Sequence, residues 1–505
     1  MSQLLKAVAG KPFDLSSAAR YVKEGHFTAA PLGYVNGQWV TGARKGIPVE
    51  DPCTNEVLGE TANFGSEETE AAIKVASESF QKWKNTLPLE RAKILRRWSD
   101  LMMQHQQALG TILSREGGKV LAEGLGEIAG SAGFLDWYAG EAERVYGDII
   151  GGPRHGVQTT VLKEPIGVVG IVTPWNFPSS MITRGVGGAL AAGCTVVLKP
   201  SELTPYSALV LAQLAEEAGV PPGVFNIVTG DAPAIGKAFT DSFDVRKISF
   251  TGSTRVGKLL YAAAAETTKK LGLELGGNAP FIVFDNADLD RAATGLILAK
   301  FRNSGQTCIC TNRAFVHAAV YDRFMAIFLD KVKALKQGNA LDPTVQVGAL
   351  STQMAVDSMA AIVKDATEKG ATVAAGGKAV TVDGKGYFFE PTVLTNVDHA
   401  TMRCCQSETF GPVVPVVKFE TEEEVLQLAN STRSGLAAYF YSGDYRQQHR
   451  VMRALQYGMV GVNESLISTP VAPFGGVKDS GLGRDGSKYG IEAFWDIKYC
   501  CVSTV

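Results

Sequence analysis

From residue 167 onward, short β-branched runs alternate with helix-patterned ones, and no other feature of the sequence constrains the fold as strongly. Residues 167–173 read as a buried strand, 181–192 as a helix and 195–198 as a second strand. Thr204 then caps a helix that carries Pro205 at its first position, where a missing N–H costs nothing. That helix stops before Val220-Pro221-Pro222-Gly223, and residues 225–228 and 247–250 supply further strands. Strands buried on both faces read as continuous apolar runs, and strands joined through helices run parallel. The rhythm therefore predicts an α/β fold on an open parallel sheet with helices on both faces. It resumes with strands at 281–284, 314–317 and 413–419 and helices at 320–335, 352–369 and 422–430, so a second α/β sheet domain is expected. Residues 84–143 are mostly helix-patterned and are expected to pack on the first sheet.

A chain of 505 residues exceeds what one hydrophobic core organises, which fits two or three domains. The formal charge of -2, with no concentrated basic stretch, argues against a nucleic-acid partner. Eight cysteines are too sparse for a disulfide scaffold and point to a reducing compartment, the cytoplasm or, alternatively, the mitochondrial matrix. The longest apolar stretch, residues 186–198, is too short and Gly-rich to span a membrane and is flanked by Arg184 and Lys199. Residues 1–33 lack the apolar core of a secretory signal. With Lys6, Lys11, Arg20 and Lys23 they read as a loose surface tail, with an organelle-targeting segment as the alternative.

Chemistry concentrates at Gly305-Gln306-Thr307-Cys308-Ile309-Cys310, which follows a helix-like run (288–303) and precedes a strand-like one (314–317). Cys308 should sit on a turn between rigid elements, where nucleophiles are often held. A thiol is the best common nucleophile because part of it ionises near neutral pH. By itself the segment fits a small buried hydrophobe better. Leu273-Glu274-Leu275-Gly276-Gly277-Asn278 places a carboxylate after an apolar run. Glu274 reads as a general base with a raised pKa or as a surface carboxylate in a turn. Pro174-Trp175-Asn176-Phe177-Pro178 fixes a loop after a buried strand, which suits an Asn176 amide as an oxyanion donor or a purely structural turn. Lys199 and Glu202 lie past the next strand's carboxyl end, where open α/β sheets bind ligands.

Two glycine-rich strings resemble nucleotide motifs. Gly481-Leu482-Gly483-Arg484-Asp485-Gly486 has the dinucleotide spacing but no preceding strand and too little chain after it, so it reads as a flexible loop. Gly252-Ser253-Thr254-Arg255-Val256-Gly257-Lys258-Leu259 resembles a phosphate loop, but Leu259 stands where a magnesium-binding hydroxyl is needed. The strand-to-helix step at Gly252 and Ser253 remains either a pyrophosphate seat or an ordinary capped helix.

These strings, with Glu408-Thr409-Phe410-Gly411-Pro412 and Pro473-Phe474-Gly475-Gly476, occur in an order and spacing that resembles the aldehyde dehydrogenase superfamily over residues 34–500. Met181-Ile182-Thr183-Arg184, Phe301-Arg302-Asn303 and residues 461–468 and 481–490 look most like its succinate-semialdehyde dehydrogenase subgroup. Gly185 stands where a lysine is usual and Ser465 where a glycine is usual. The resemblance implies a Rossmann-like cofactor domain (34–145 and 165–278), a catalytic domain (279–478) and a small β oligomerisation arm (146–164 and 491–502), forming a homodimer or homotetramer. It implies Cys308 as nucleophile, Asn176 and the Cys308 N–H as oxyanion donors, and Glu274 as the base that activates water on the thioester. Trp175, Lys199, Glu202, Gly252, Ser253, Glu408 and Phe410 would bind the cofactor.

A carboxylate beside the ribose repels a 2′-phosphate, so Glu202 predicts NAD over NADP. Arg184, Arg302 and Ser468 would grip the carboxylate at the far end of succinate semialdehyde. A longer ω-carboxylated aldehyde such as glutarate semialdehyde is the alternative, because one methylene changes binding by only ~1–3 kcal/mol. A non-catalytic binding or structural protein on the same fold is the alternative of another class. Cys310, two residues from the nucleophile as in subgroup members with a redox switch, is the candidate resolving thiol. No metal is expected, since no His or further Cys accompanies the pair. Cys404-Cys405 and Cys500-Cys501 read as structural.

Overall fold

The computed structural model describes residues 4–23, 27–28 and 30–503. Its first sheet has nine strands, five of them parallel. The parallel strands run in the spatial order Phe225–Ile227, Thr195–Lys199, Val168–Val172, Val245–Thr251, Lys270–Glu274. The first three in sequence step one way across the sheet and the last two the other way. This leaves a topological switch between Val168–Val172 and Val245–Thr251, where such sheets bind ligands. Helices Pro88–Gln104, Leu121–Ala142, Ser180–Ala192 and Pro205–Ala218 bury one face, and helices Ser66–Trp83 and Ala232–Asp241 the other.

The second sheet has seven strands. Its parallel members include Val413–Phe419, Thr311–His317, Ala279–Val283, Ala437–Tyr441 and Met459–Val462. Helices Leu289–Phe301 and Tyr321–Lys333 cover one face and Gln353–Glu368 and Glu422–Asn430 the other. Four residues, 275–278, link the last parallel strand of the first sheet to the first strand of the second. The two sheets therefore meet at the candidate base. A separate antiparallel sheet joins Asp148–Ile150, Val157–Pro165 and Trp495–Ser503.

Three expectations change. The N-terminal segment is no loose tail among its described residues. Lys6–Val8 pairs with Trp39 to Thr41, and Phe13 and Tyr21 are buried. The backbone of Phe13 bonds the Gln213 amide in both directions (3.1 and 2.8 Å). The glycine-rich string at 481–486 is ordered: Gly481 and Leu482 pair with Glu274 and Leu273, and Asp485 bridges Phe474. The sequence hides both because very short edge strands carry no period. Cys404 and Cys405 are buried, but Cys501 is exposed on the antiparallel sheet, where a packing role does not apply.

Candidate active site

Strand register sets the first wall of the site. Val172 lies beside Lys199 and Phe250, and Thr251 beside Glu274. The loops that carry Asn176, Lys199 with Glu202, Gly252 with Ser253, and Glu274 thus leave the sheet side by side at its carboxyl edge. Lys199 is buried and ion-paired with Glu202. Ser253 caps helix Thr254–Ala264, its hydroxyl accepting from the Val256 N–H at 3.4 Å. Trp175 and Phe410 meet edge to face, centroids 5.6 Å apart. Glu408 accepts from the Gly277 N–H at 3.0 Å, and burial pushes its carboxyl up to about 7. A Cβ on Gly277 would stand 2.2 Å from the Cys308 carbonyl, so only glycine lets the linker pass the nucleophile loop.

The second wall is that loop. Helix Leu289–Phe301 ends, and Asn303, Ser304 and Gly305 all take the left-handed conformation (φ 52°, 56° and 74°). Non-glycine residues held there cost roughly 1–3 kcal/mol each, so neighbours must over-determine the turn. They do. The Asn303 N–H bonds Glu123 (2.9 Å), its Nδ2 bonds the carbonyls of Asn176 (3.0 Å) and Gln306 (3.2 Å), and Ser304 Oγ bonds the Gly348 carbonyl (3.0 Å). Strand Thr311–His317 follows. Cys308 therefore stands on a turn between two rigid elements.

Cys308 opens into a cavity of about 600 Å³ whose wall includes Arg184, Arg302, Ser468, Phe134 and Phe474. Burial pushes its thiol up to about 12, and Arg184 pulls the other way. Burial therefore disfavours the thiolate, and the proton must leave as the sulfur adds. Glu274 is buried at the end of its strand, with Oε2 unpartnered among the described residues. Burial first, then the neighbouring Asp485, raise its carboxyl well above the usual range. Asn176 spends one N–H on the Gln306 carbonyl (3.0 Å), which leaves its second for a ligand. The Cys308 N–H has no protein acceptor among the described residues.

Arg184 is buried, stacked between Phe474 (4.1 Å) and Phe134 (4.9 Å), and donates to Ser468 Oγ at 2.8 Å. Its Nε has no partner among the described residues. Arg302 lies over Phe177 at 5.2 Å. Among the described residues neither guanidinium has a carboxylate within ion-pair distance. Cys310 is buried below the cleft, its sulfur 3.2 Å from the Gly305 carbonyl and 3.7 Å from Lys300 Nζ. Sequence reasoning missed the charged groups behind the loops, Lys119, Glu123 and Glu127. Apart from the Lys119–Glu127 pair, eight residues apart, their partners lie far away in the chain, and the only signal is that carboxylates recur four residues apart at the start of a half-buried helix.

Two largely parallel sheets that meet at Glu274, with a cysteine thiol in the cleft between them, define an α/β protein with a thiol-lined site. The aldehyde dehydrogenase family model matches residues 39–500. The chain is 51% identical over 471 residues to a mitochondrial succinate-semialdehyde dehydrogenase of Arabidopsis thaliana, covering 93% of this chain and 89% of that one. It is 50% identical over 473 residues to a glutarate-semialdehyde dehydrogenase of Pseudomonas aeruginosa, covering 94% and 97%. A crystal structure of an E. coli NADP dependent enzyme superposes with a TM-score of 0.92 at 49% identity, covering 93% of this chain and 98% of that one. The chain belongs to the aldehyde dehydrogenase family.

Proposed function

We propose that the protein oxidises succinate semialdehyde to succinate, with Cys308 as the covalent nucleophile and NAD as the preferred cofactor. One observation carries the substrate: two guanidiniums, neither ion-paired among the described residues, share one cavity with the thiol. Arg184 is buried and Arg302 half-buried; a cation shielded from water favours an anion, and each charge-assisted bond contributes about 1.5–3 kcal/mol. An aldehyde with a carboxylate at its far end satisfies both ends of the cavity. The same cavity has room for one more methylene, so glutarate semialdehyde stays the second substrate to assay.

The residues fit a nicotinamide dinucleotide. The carboxyl edge of the first sheet offers Lys199 with Glu202 for a ribose and the Gly252–Ser253 helix start for a pyrophosphate, while Trp175 packs on Phe410 and the Glu408 carboxylate acts on the Cys308 thiol. A Cβ on Gly252 would strike the Phe250 ring at 2.6 Å, so close packing on that ring favours glycine at the helix start. When bound, the dinucleotide supplies the hydride acceptor.

The chain's own groups do the rest. Cys308 sulfur bonds the aldehyde carbon as its proton leaves to solvent. The carbonyl oxygen becomes an oxyanion that accepts from the second Asn176 N–H and the Cys308 N–H. Loss of hydride from that carbon restores a carbonyl, now a thioester. Glu274 then takes a proton from water, whose oxygen adds to the thioester carbon, and the Cys308 thiolate leaves. The test is a panel of aldehydes with NAD and with NADP. Succinate semialdehyde with NAD should give the highest kcat/KM. Equal values for propanal, or higher values with NADP, would refute the respective assignments.

Cys310 is assigned as a redox switch: hydrogen peroxide oxidises the two thiols to a Cys308–Cys310 disulfide, with two waters formed. Its sulfur must first turn away from Gly305 and Lys300. Peroxide inactivation should be reversed by dithiothreitol and absent in Cys310→Ala; an unchanged profile in that variant contradicts it. The units 34–145 with 165–278, 279–478, and 146–164 with 491–502 are assigned as cofactor domain, catalytic domain and oligomerisation arm. The arm exposes Ile149, Leu162, Ile497 and Tyr499, which supports a homodimer or homotetramer. No described helix is long and apolar enough to cross a membrane. Free thiols suit the cytoplasm or, as the alternative, the mitochondrial matrix; the plant relative's name calls that protein mitochondrial.

A further inference from the structure

Behind the Asn176 loop lies a charged cluster that the reaction above does not use. Lys119 follows Gly118, which ends helix Gln106–Gly117 in the left-handed conformation (φ 70°), and its side chain runs inward. Its Nζ has three neighbours: the Glu127 carboxylate, the Asn176 backbone carbonyl at 2.8 Å and the Phe177 ring face at 3.7 Å. The other oxygen of Glu127 accepts from the N–H groups of Ser179 and Ser180 (2.9 and 3.2 Å), where helix Ser180–Ala192 begins. One ion pair thus grips the loop between its two prolines, at Asn176 and Phe177, and just after the second, at Ser179 and Ser180.

A buried ion pair is a poor way to gain stability, because desolvating both charges offsets most of their attraction. This pair has a different effect. The Asn176 carbonyl accepts from Lys119 and from Asn303 Nδ2, and the Gln306 carbonyl accepts from Asn303 Nδ2 and from Asn176 Nδ2. Every one of these bonds bears on where the Asn176 amide stands relative to Cys308, two residues beyond Gln306. The amide belongs to one sheet and the thiol to the other. Misplacing such a donor by about 1 Å can lower a rate on the order of 100-fold.

We propose that Lys119, locked by Glu127, is a positioning residue that sets the Asn176 amide at the oxyanion site. The proposal rests on the assignment of Asn176 as oxyanion donor. Lys119 touches neither substrate nor reacting atoms. It acts through the Asn176 carbonyl, so its contribution should exist only while the Asn176 amide is present.

A double-mutant cycle on the full-length enzyme tests this. Lys119→Met should lower kcat for succinate semialdehyde about 10- to 100-fold, with KM changed less than about threefold. In an Asn176→Ala background the same substitution should lower kcat by less than about threefold. Glu127→Gln keeps an oxygen for the Ser179 and Ser180 amides while removing the charge that holds Lys119. It should show the same pattern, and it decides the matter if Lys119→Met does not fold. Equal losses in both backgrounds, or a rise in KM that matches the fall in kcat, would overturn the proposal. An Asn176→Ala enzyme with unchanged kcat would instead remove the oxyanion assignment, and the proposal with it.

Discussion

Two loops face each other across the cleft, and they are held in opposite ways. The Asn176 loop, between prolines 174 and 178, has ordinary backbone and takes its position from outside, through Lys119, Glu127 and Asn303. The Cys308 loop has three consecutive left-handed residues and takes its shape from its own backbone, pinned by bonds to Glu123 and Gly348. A loop that must present a backbone N–H beside its own side chain needs a special conformation. A loop that presents one amide needs only to be aimed. The first is expected to fail by misfolding locally, the second by misplacement without loss of stability.

The sharpest way to break this comparison is Asn176→Ala. It should cost about 3–4 kcal/mol of transition-state stabilisation, on the order of a few hundred-fold in kcat. Thermal stability should drop by no more than one lost hydrogen bond, about 1 kcal/mol. A large loss of stability would show that this loop, too, is structural. Gly305→Ala probes the other side. Its φ is +74° and a Cβ would stand 2.2 Å from the Gly411 carbonyl, so destabilisation of about 3 kcal/mol is expected, seen as a lower denaturation midpoint. A stable, fully active Gly305→Ala enzyme would contradict the claim of a strained, over-determined turn.

Smaller effects sharpen the picture. Arg302→Ala should lower kcat/KM for succinate semialdehyde by about 1.5–3 kcal/mol, mainly through KM, and leave propanal nearly unchanged. Equal losses would mean that Arg302 supports the Phe177 ring rather than binding a carboxylate. The smallest expected effect is on stability against pH. Glu408 has its folded pKa raised to about 7, so its contribution is complete below the unfolded value of 4.5 and is lost as pH rises through 7. Between pH 5 and 8 urea midpoints should fall slightly more steeply in the wild type than in Glu408→Gln; parallel curves would show that Glu408 is not held protonated.

The sequence showed the sheets because parallel strands are buried on both faces and announce themselves as apolar runs. It showed the turn at Cys308 because Gly305 and two polar residues interrupt a helix pattern. It could not show that Asn303 and Ser304 join Gly305 in the left-handed region, which depends on the bonds from Glu123, Gly348 and Asn176. Lys119 left no trace: its partners lie 8 and 57 residues away on elements with no shared period. Nor could a three-residue strand at Lys6–Val8 be read, since its only signature is a partner at Trp39 to Thr41.

The claim on which everything else depends is a covalent acyl intermediate on Cys308. Glu274→Gln enzyme should form that thioester and fail to hydrolyse it. Incubated with succinate semialdehyde and NAD and digested, its Cys308 peptide should carry the mass of one succinyl group, with one equivalent of NADH released per site. An unmodified Cys308 peptide alongside continued turnover would contradict the account.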